Sequence, residues 1–209
     1  MAAPTQFVEI PGFREALRNE SDVRRKAWCH THDSIAGVRV RLLTLRDIVL
    51  LEEMQNGFFA PWRFDDDAEY LAHCAQLVWW LSDFPKPALD SRRALQPLVA
   101  YHRTRLIRYL AARPAELSAG VRQYLHTSFL DAPKGGGGGT AIAAAPAYVM
   151  DSLAAAGFGM PADDVLDMPV IKLWQLLRLA VRRVYGIPAT NDSDRLACDY
   201  LATLNPQRN

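Results

Sequence analysis

The residues best suited to chemistry are Cys29-His30-Thr31-His32 and the pair His73-Cys74. Thiolate and imidazole are the soft donors that a zinc site uses, so Cys29, His30 and His32 form a candidate metal group. Their spacing matches no finger or knuckle, and Cys74 falls on the apolar face of its own amphipathic segment. A buried thiol acting as a small hydrophobe is the expected role there. Nucleophilic catalysis needs a cysteine or serine facing a base. Cys29 and His30 are neighbours in sequence, and adjacent side chains on a helix do not face one another. Neither a G-x-S-x-G elbow nor an H-E-x-x-H pair occurs.

Two further groupings invite a ligand. Asp65, Asp66, Asp67 and Glu69 could hold a divalent cation, but the glycine and spaced ligands of an EF-hand loop are missing. Carboxylates at a helix start serve its dipole instead. The run Gly135–Gly139 follows Lys134, whereas a phosphate loop places its lysine after the glycines and a strand before them. The run therefore reads as a flexible joint. Arg178, Arg182 and Arg183 lie near Trp174 and Tyr185, a combination that can bind single-stranded nucleic acid. Trp174 belongs to an apolar stripe, so core packing and a solvated basic face explain both sets. No catalytic residue, metal or cofactor is expected.

The elements that would carry these residues are mostly helical. After Pro11-Gly12, residues 13–28 form a polar helix. Residues 35–43 alternate weakly, but a lone strand lacks a partner, so no sheet is expected. Thr44-Leu-Arg-Asp47 opens a helix with a capping box, and Asn56-Gly57 closes it. An aromatic loop of Phe58, Phe59 and Trp62 follows. The next helix places Leu71, Cys74, Ala75, Val78 and Leu81 on one face, with Trp79 and Trp80 beside it. Residues 91–112 carry another apolar periodicity, with Pro97 marking its start or a kink. A helix from Ala115 to Leu130 comes next, weakened by Gly120.

Beyond the glycines, residues 147–156 and 161–166 read as short helical pieces. The clearest stripe then begins at Met168-Pro169, where proline suits a first helical turn. Val170, Leu173, Trp174, Leu177 and Val181 share its face, and Gly186-Ile-Pro188 ends it. A last helix is expected over 192–204. The fold class is thus all-α, an irregular bundle of about seven helices by periodicity, interrupted by the Gly-rich loop. Three parts follow: an N-terminal helical domain over 1–132, a linker over 133–146 and a helical segment over 147–209.

Bulk properties narrow the partners. With 24 basic against 23 acidic residues, global charge gives no case for nucleic acid or anionic lipid, so any basic patch must be local. Three widely spaced cysteines do not suggest a disulfide framework. The first ten residues lack the basic start and apolar core of a signal peptide, and no apolar run reaches about 18 residues. A cytoplasmic, protein-binding role without a membrane is the expectation. Its candidate contact residues are Phe58, Phe59, Trp62, Val170, Leu173, Trp174, Leu177 and Val181. They dock in cis, or against a partner helix or a second copy of the chain.

A family resemblance gives that partner a context. The segment Leu43-Thr-Leu-Arg-Asp-Ile-Val-Leu-Leu-Glu-Glu-Met-Gln-Asn-Gly-Phe-Phe59, followed by an acidic helix start and Tyr70-Leu-Ala-His-Cys-Ala-Gln-Leu-Val-Trp-Trp-Leu81, resembles tail assembly chaperones of tailed phages and prophages. In that family a Leu-Thr-(six residues)-Leu-Glu helix precedes a short aromatic loop and a second helix. The resemblance implies a non-catalytic tail assembly factor that coats apolar helices of a tail protein such as the tape measure protein. Two other readings remain open: a structural virion component (head–tail connector or tail terminator), and a metal-binding protein using Cys29, His30 and His32.

Overall fold

The computed structural model describes residues 11–59, 64–84, 86, 96–130, 149–151, 153–154 and 157–185. The expected first arm, Trp62, the glycine run and the helix over 192–204 lie outside them. The described chain is mainly α, with one β-hairpin. Helix α1 (Phe13–Cys29) starts after Gly12, whose φ of 76° needs a residue without Cβ. Strands β1 (His32–Ile35) and β2 (Val38–Arg41) then pair antiparallel, with Ile35 opposite Val38 and His32 opposite Arg41.

The hairpin corrects the all-α expectation. Its two-residue turn, Ala36-Gly37, takes φ values of 49° and 77°, as a tight hairpin with matched twist requires. Alternation in β2 was legible, with Val38 and Val40 buried and Arg39 exposed. Its partner His32-Asp-Ser-Ile35 buries only Ile35, so it carries no such pattern. Helices complete what two strands alone could not stabilise. Helix α5 (Pro114–Phe129) crosses β1 at Gly120, where a Cβ would come 3.1 Å from Ile35 Cγ2. The glycine that weakens this helix intrinsically is the one that lets it approach the strand.

Helix α2 (Leu45–Glu53) opens with the expected capping box: the Thr44 hydroxyl accepts from the Asp47 N–H, and the Asp47 carboxylate accepts from the Thr44 N–H. Its end differs from expectation. The left-handed residue is Gln55, and Asn56 is fully buried instead. The Asn56 amide donates to His73 O and Gln76 Oε1, while its carbonyl accepts from the Phe58 N–H. Helix α3 (Asp67–Leu81) is capped by Asp66, which accepts from the Glu69 N–H. Helix α4 (Gln96–Ala111) carries Pro97 in its first described turn, and residues 91–95 of the expected helix lie outside the described ones.

Residues 149–151 and 153–154 are helical, followed by α6 (Ala162–Asp167) and α7 (Val170–Tyr185). The entry to α7 is stitched to the start of α2: the Val170 N–H donates to Leu43 O at 2.8 Å, and Arg46 pairs with Asp163 and Asp167 of α6. Against α1, the Trp28 indole donates to Gln175 Oε1, and Lys172 Nζ sits 4.2 Å over the Trp28 ring. One apolar core unites these pieces. Ile35, Leu45, Leu77, Tyr124, Leu153, Leu173 and Leu177 are each under 2 % exposed and belong to one cluster. The described parts on either side of residues 133–146 therefore share a core.

Polar groups inside this core meet at Asp47, which is 2 % exposed. Its carboxylate accepts two bonds from the Arg41 guanidinium, one from the Thr44 hydroxyl and one from the Trp80 indole at 2.8 Å. Burial disfavours the Arg41 charge, and the Asp47 carboxylate overrides that penalty and holds its pKa above the ordinary value. The buried Tyr124 hydroxyl donates to Arg41 O. Strand, helices α2 and α3, and α5 are thereby tied at one point.

Candidate functional site

The groups singled out for chemistry are placed apart or put to structural use. Cys29 and His30 are exposed at the end of α1. His32 points its ring nitrogens at other partners: Nδ1 lies 2.8 Å from the Thr31 hydroxyl and 3.0 Å from Arg39, and Nε2 lies 3.4 Å from Asp83. His73 accepts from the Gly57 N–H and rests on the Phe64 ring. Cys74 is fully buried, and burial pushes its thiol up to about 11. Among the described residues, no three His, Cys, Asp or Glu side chains are grouped to hold a metal. Asp66 and Glu69 cap α3, Glu69 accepting from the Asp65 N–H at 2.6 Å.

The expected contact stripe is covered within the chain. Val170, Leu173, Trp174 and Leu177 are between 0 and 6 % exposed, so they are core residues and not an open surface. The side chain of Val181 lies outside the described residues, as does Trp62. Phe59 is buried, and Phe58 packs edge-on with Tyr70 at 5.5 Å and against Phe64 at 5.2 Å. The docking that the stripe demands thus occurs in cis, where α1 and α5 pack against α7.

A different surface remains open. Helix α4 buries Leu106 and Leu110 and leaves Leu98 48 %, Tyr101 58 %, Ile107 40 % and Tyr109 39 % exposed. Arg103, Arg105 and Arg108 are exposed on the same helix. Residues 91–113 contain six arginines (92, 93, 103, 105, 108 and 113) and no carboxylate. At 3.6 residues per turn, Leu98, Tyr101, Arg105, Arg108 and Tyr109 fall on one side of the helix. That side borders a groove of about 590 Å³ between α4, the hairpin turn at Gly37–Arg39 and the α3 exit at Asp83-Phe84.

The groove is built by identifiable contacts. Trp79, Phe84 and His102 stack in a column leading outward from the core, with centroids 6.1 and 5.7 Å apart. At Gly37, φ is 77° and an added Cβ would lie 2.9 Å from the Tyr109 hydroxyl, so glycine permits the turn to approach α4. Arg113 lies over the Tyr109 ring at 4.0 Å and fixes it by cation–π attraction. Asp83 is the sole carboxylate among the described lining residues. It already faces Arg39 at 3.5 Å and His32 at 3.4 Å. Arg105, by contrast, has no charged partner among the described residues.

Such an arrangement can hold a negatively charged, partly apolar ligand by charge and shape. Comparison with known proteins adds no assignment: no family model, curated protein or solved structure matches the chain. Sequence reasoning passed over α4 as one more amphipathic helix. The signal that could have found it is the acid-free arginine stretch, hidden by an overall charge of +1.

Proposed function

We propose that this protein is a non-catalytic, chaperone-like assembly factor that binds helical, partly apolar segments of a phage tail protein such as the tape measure protein. The observation that carries the binding role is one side of α4, where three large apolar side chains, Leu98, Tyr101 and Tyr109, stay exposed on a helix already anchored in the core. Scattered apolar exposure is ordinary, but a row beside a concave groove marks an interaction surface. The tail context is supported by the resemblance over residues 43–59 and 70–81. Those segments build the scaffold: Leu45, Ile48, Leu51, Leu77 and Leu81 are buried.

Partner contact is therefore assigned to α4 rather than to the stripe over 170–181. Co-expression with the tail proteins encoded beside it, followed by size-exclusion chromatography, tests the reading. A defined complex with one of them, absent from finished particles, is expected. Stoichiometric retention in purified particles would instead make the protein a structural virion component.

A further inference from the structure

We infer that the groove between the β-hairpin turn and α4 is a receptor for an acidic, partly apolar peptide segment of a partner protein. This deepens the protein-binding reading above and rests on it. The charge argument comes first. Arg105 and Arg108 stand exposed beside the groove without carboxylates on their own helix, and Asp83 is already opposed by Arg39 and His32. A low-dielectric concave wall focuses that excess positive potential into the groove.

Charge alone is an incomplete match. Leu106 and Phe84 line the floor, and Leu98 and Tyr101 continue the same face along the helix. A ligand bearing only carboxylates would leave those side chains in water, so the complementary segment alternates acid with apolar groups. From Leu98 to Tyr109 the stripe spans about 16 Å at 1.5 Å per residue. Three turns of a partner helix cover that length.

The rings argue against single-stranded nucleic acid as the occupant. Base stacking uses a series of open ring faces. Here one face of His102 rests on Phe84 and one face of Tyr109 carries Arg113, while Tyr101 meets His102 edge-on at 73°. Exposed Leu98 on the same face offers nothing to a phosphate chain. A peptide uses both kinds of contact.

The test is fluorescence anisotropy with a dye-labelled twelve-residue amphipathic helix carrying Glu and Leu on one face. Its controls are the same peptide with Gln for Glu, and a labelled oligothymidylate of equal charge. The Glu peptide is expected to bind. Arg105→Glu with Arg108→Glu, both on exposed residues and checked for fold by circular dichroism, is expected to weaken it at least about tenfold. The Gln peptide is expected to lose a similar factor, while Arg25→Glu on α1 leaves binding unchanged. Equal binding of the Gln peptide, indifference to the double reversal, tighter binding of oligothymidylate, or no binding of any probe each overturns the inference. A tail-protein complex that survives the double reversal preserves the protein-binding reading and removes the groove from it. Peptide binding without any tail-protein complex keeps the groove and removes the tail-assembly role.

Discussion

Replacing Asp47 probes the point where strand, helices and cap are joined. Asp47→Ala removes the carboxylate that receives two Arg41 bonds, the Thr44 N–H and hydroxyl, and the Trp80 indole. Loss of the capping function alone costs about 1 kcal/mol. Removing one member of a buried ion pair costs about 3–5 kcal/mol, because the partner charge stays uncompensated. The Arg41 side chain is 37 % exposed, however, and can recover part of its hydration. The combined expectation is therefore near the low end, about 3 kcal/mol. For a chain of this size that lowers Tm by roughly 6–12 °C.

Urea unfolding followed by circular dichroism gives the value directly. A double-mutant cycle with Arg41→Met separates the pair from the cap: the Arg41→Met background is expected to reduce the Asp47→Ala cost by about 1–2 kcal/mol. Thr44→Ala, which leaves the ion pair in place, is expected to cost about 1 kcal/mol. A loss below about 1 kcal/mol for Asp47→Ala, or no coupling to Arg41, would refute the reasoning, since neither fits a buried, multiply bonded carboxylate.

Other outcomes follow from single contacts. Thiol titration of a Cys29→Ser/Cys198→Ser variant should show Cys74 unreactive until the protein unfolds, because burial raises its thiol to about 11; rapid labelling in native buffer contradicts its placement. Gly120→Val should destabilise by about 2 kcal/mol through crowding at Ile35, read by thermal melting, whereas Gly120→Ala sets helix propensity against a 3.1 Å contact and should stay within about 1 kcal/mol of wild type. Burial pushes Lys86 down to about 8 from 10.5, so the unfolded chain binds the additional proton between those values. Stability from this residue therefore rises as pH climbs from about 8 to about 10.5, and Lys86→Met should remove that component. The wild-type-minus-variant difference isolates it from Cys74, whose raised pKa acts in the opposite direction above about 9.

Much of the local structure was written in short-range patterns. Thr44 and Asp47 specify their capping box because the two bonds close within four residues, and Asp66 specifies the start of α3 for the same reason. The three-and-four spacing of Leu71, Cys74, Ala75, Val78 and Leu81 likewise depends only on helical geometry. Hairpin pairing was harder to see. One strand has the alternation, but its partner is polar and its turn is Ala-Gly, so the pairing becomes stable only when α5 covers it through Gly120.

What the residue order determined by itself was therefore a set of helices, their caps and their apolar faces. It also located the stripe through Val170, Leu173, Trp174 and Leu177 and required that something cover it. Periodicity states that a face must be buried and is silent on which surface buries it. Only the tertiary structure decided that this stripe closes the protein's own core, while α4, with its weaker stripe and acid-free arginine run, keeps apolar and cationic groups in water beside a groove. The physical reason is that burial is a property of pairs of surfaces. The strongest amphipathic helix found its partner within the chain, whereas α4, with Leu106 and Leu110 its buried side chains among the described residues, keeps Leu98, Tyr101 and Tyr109 exposed.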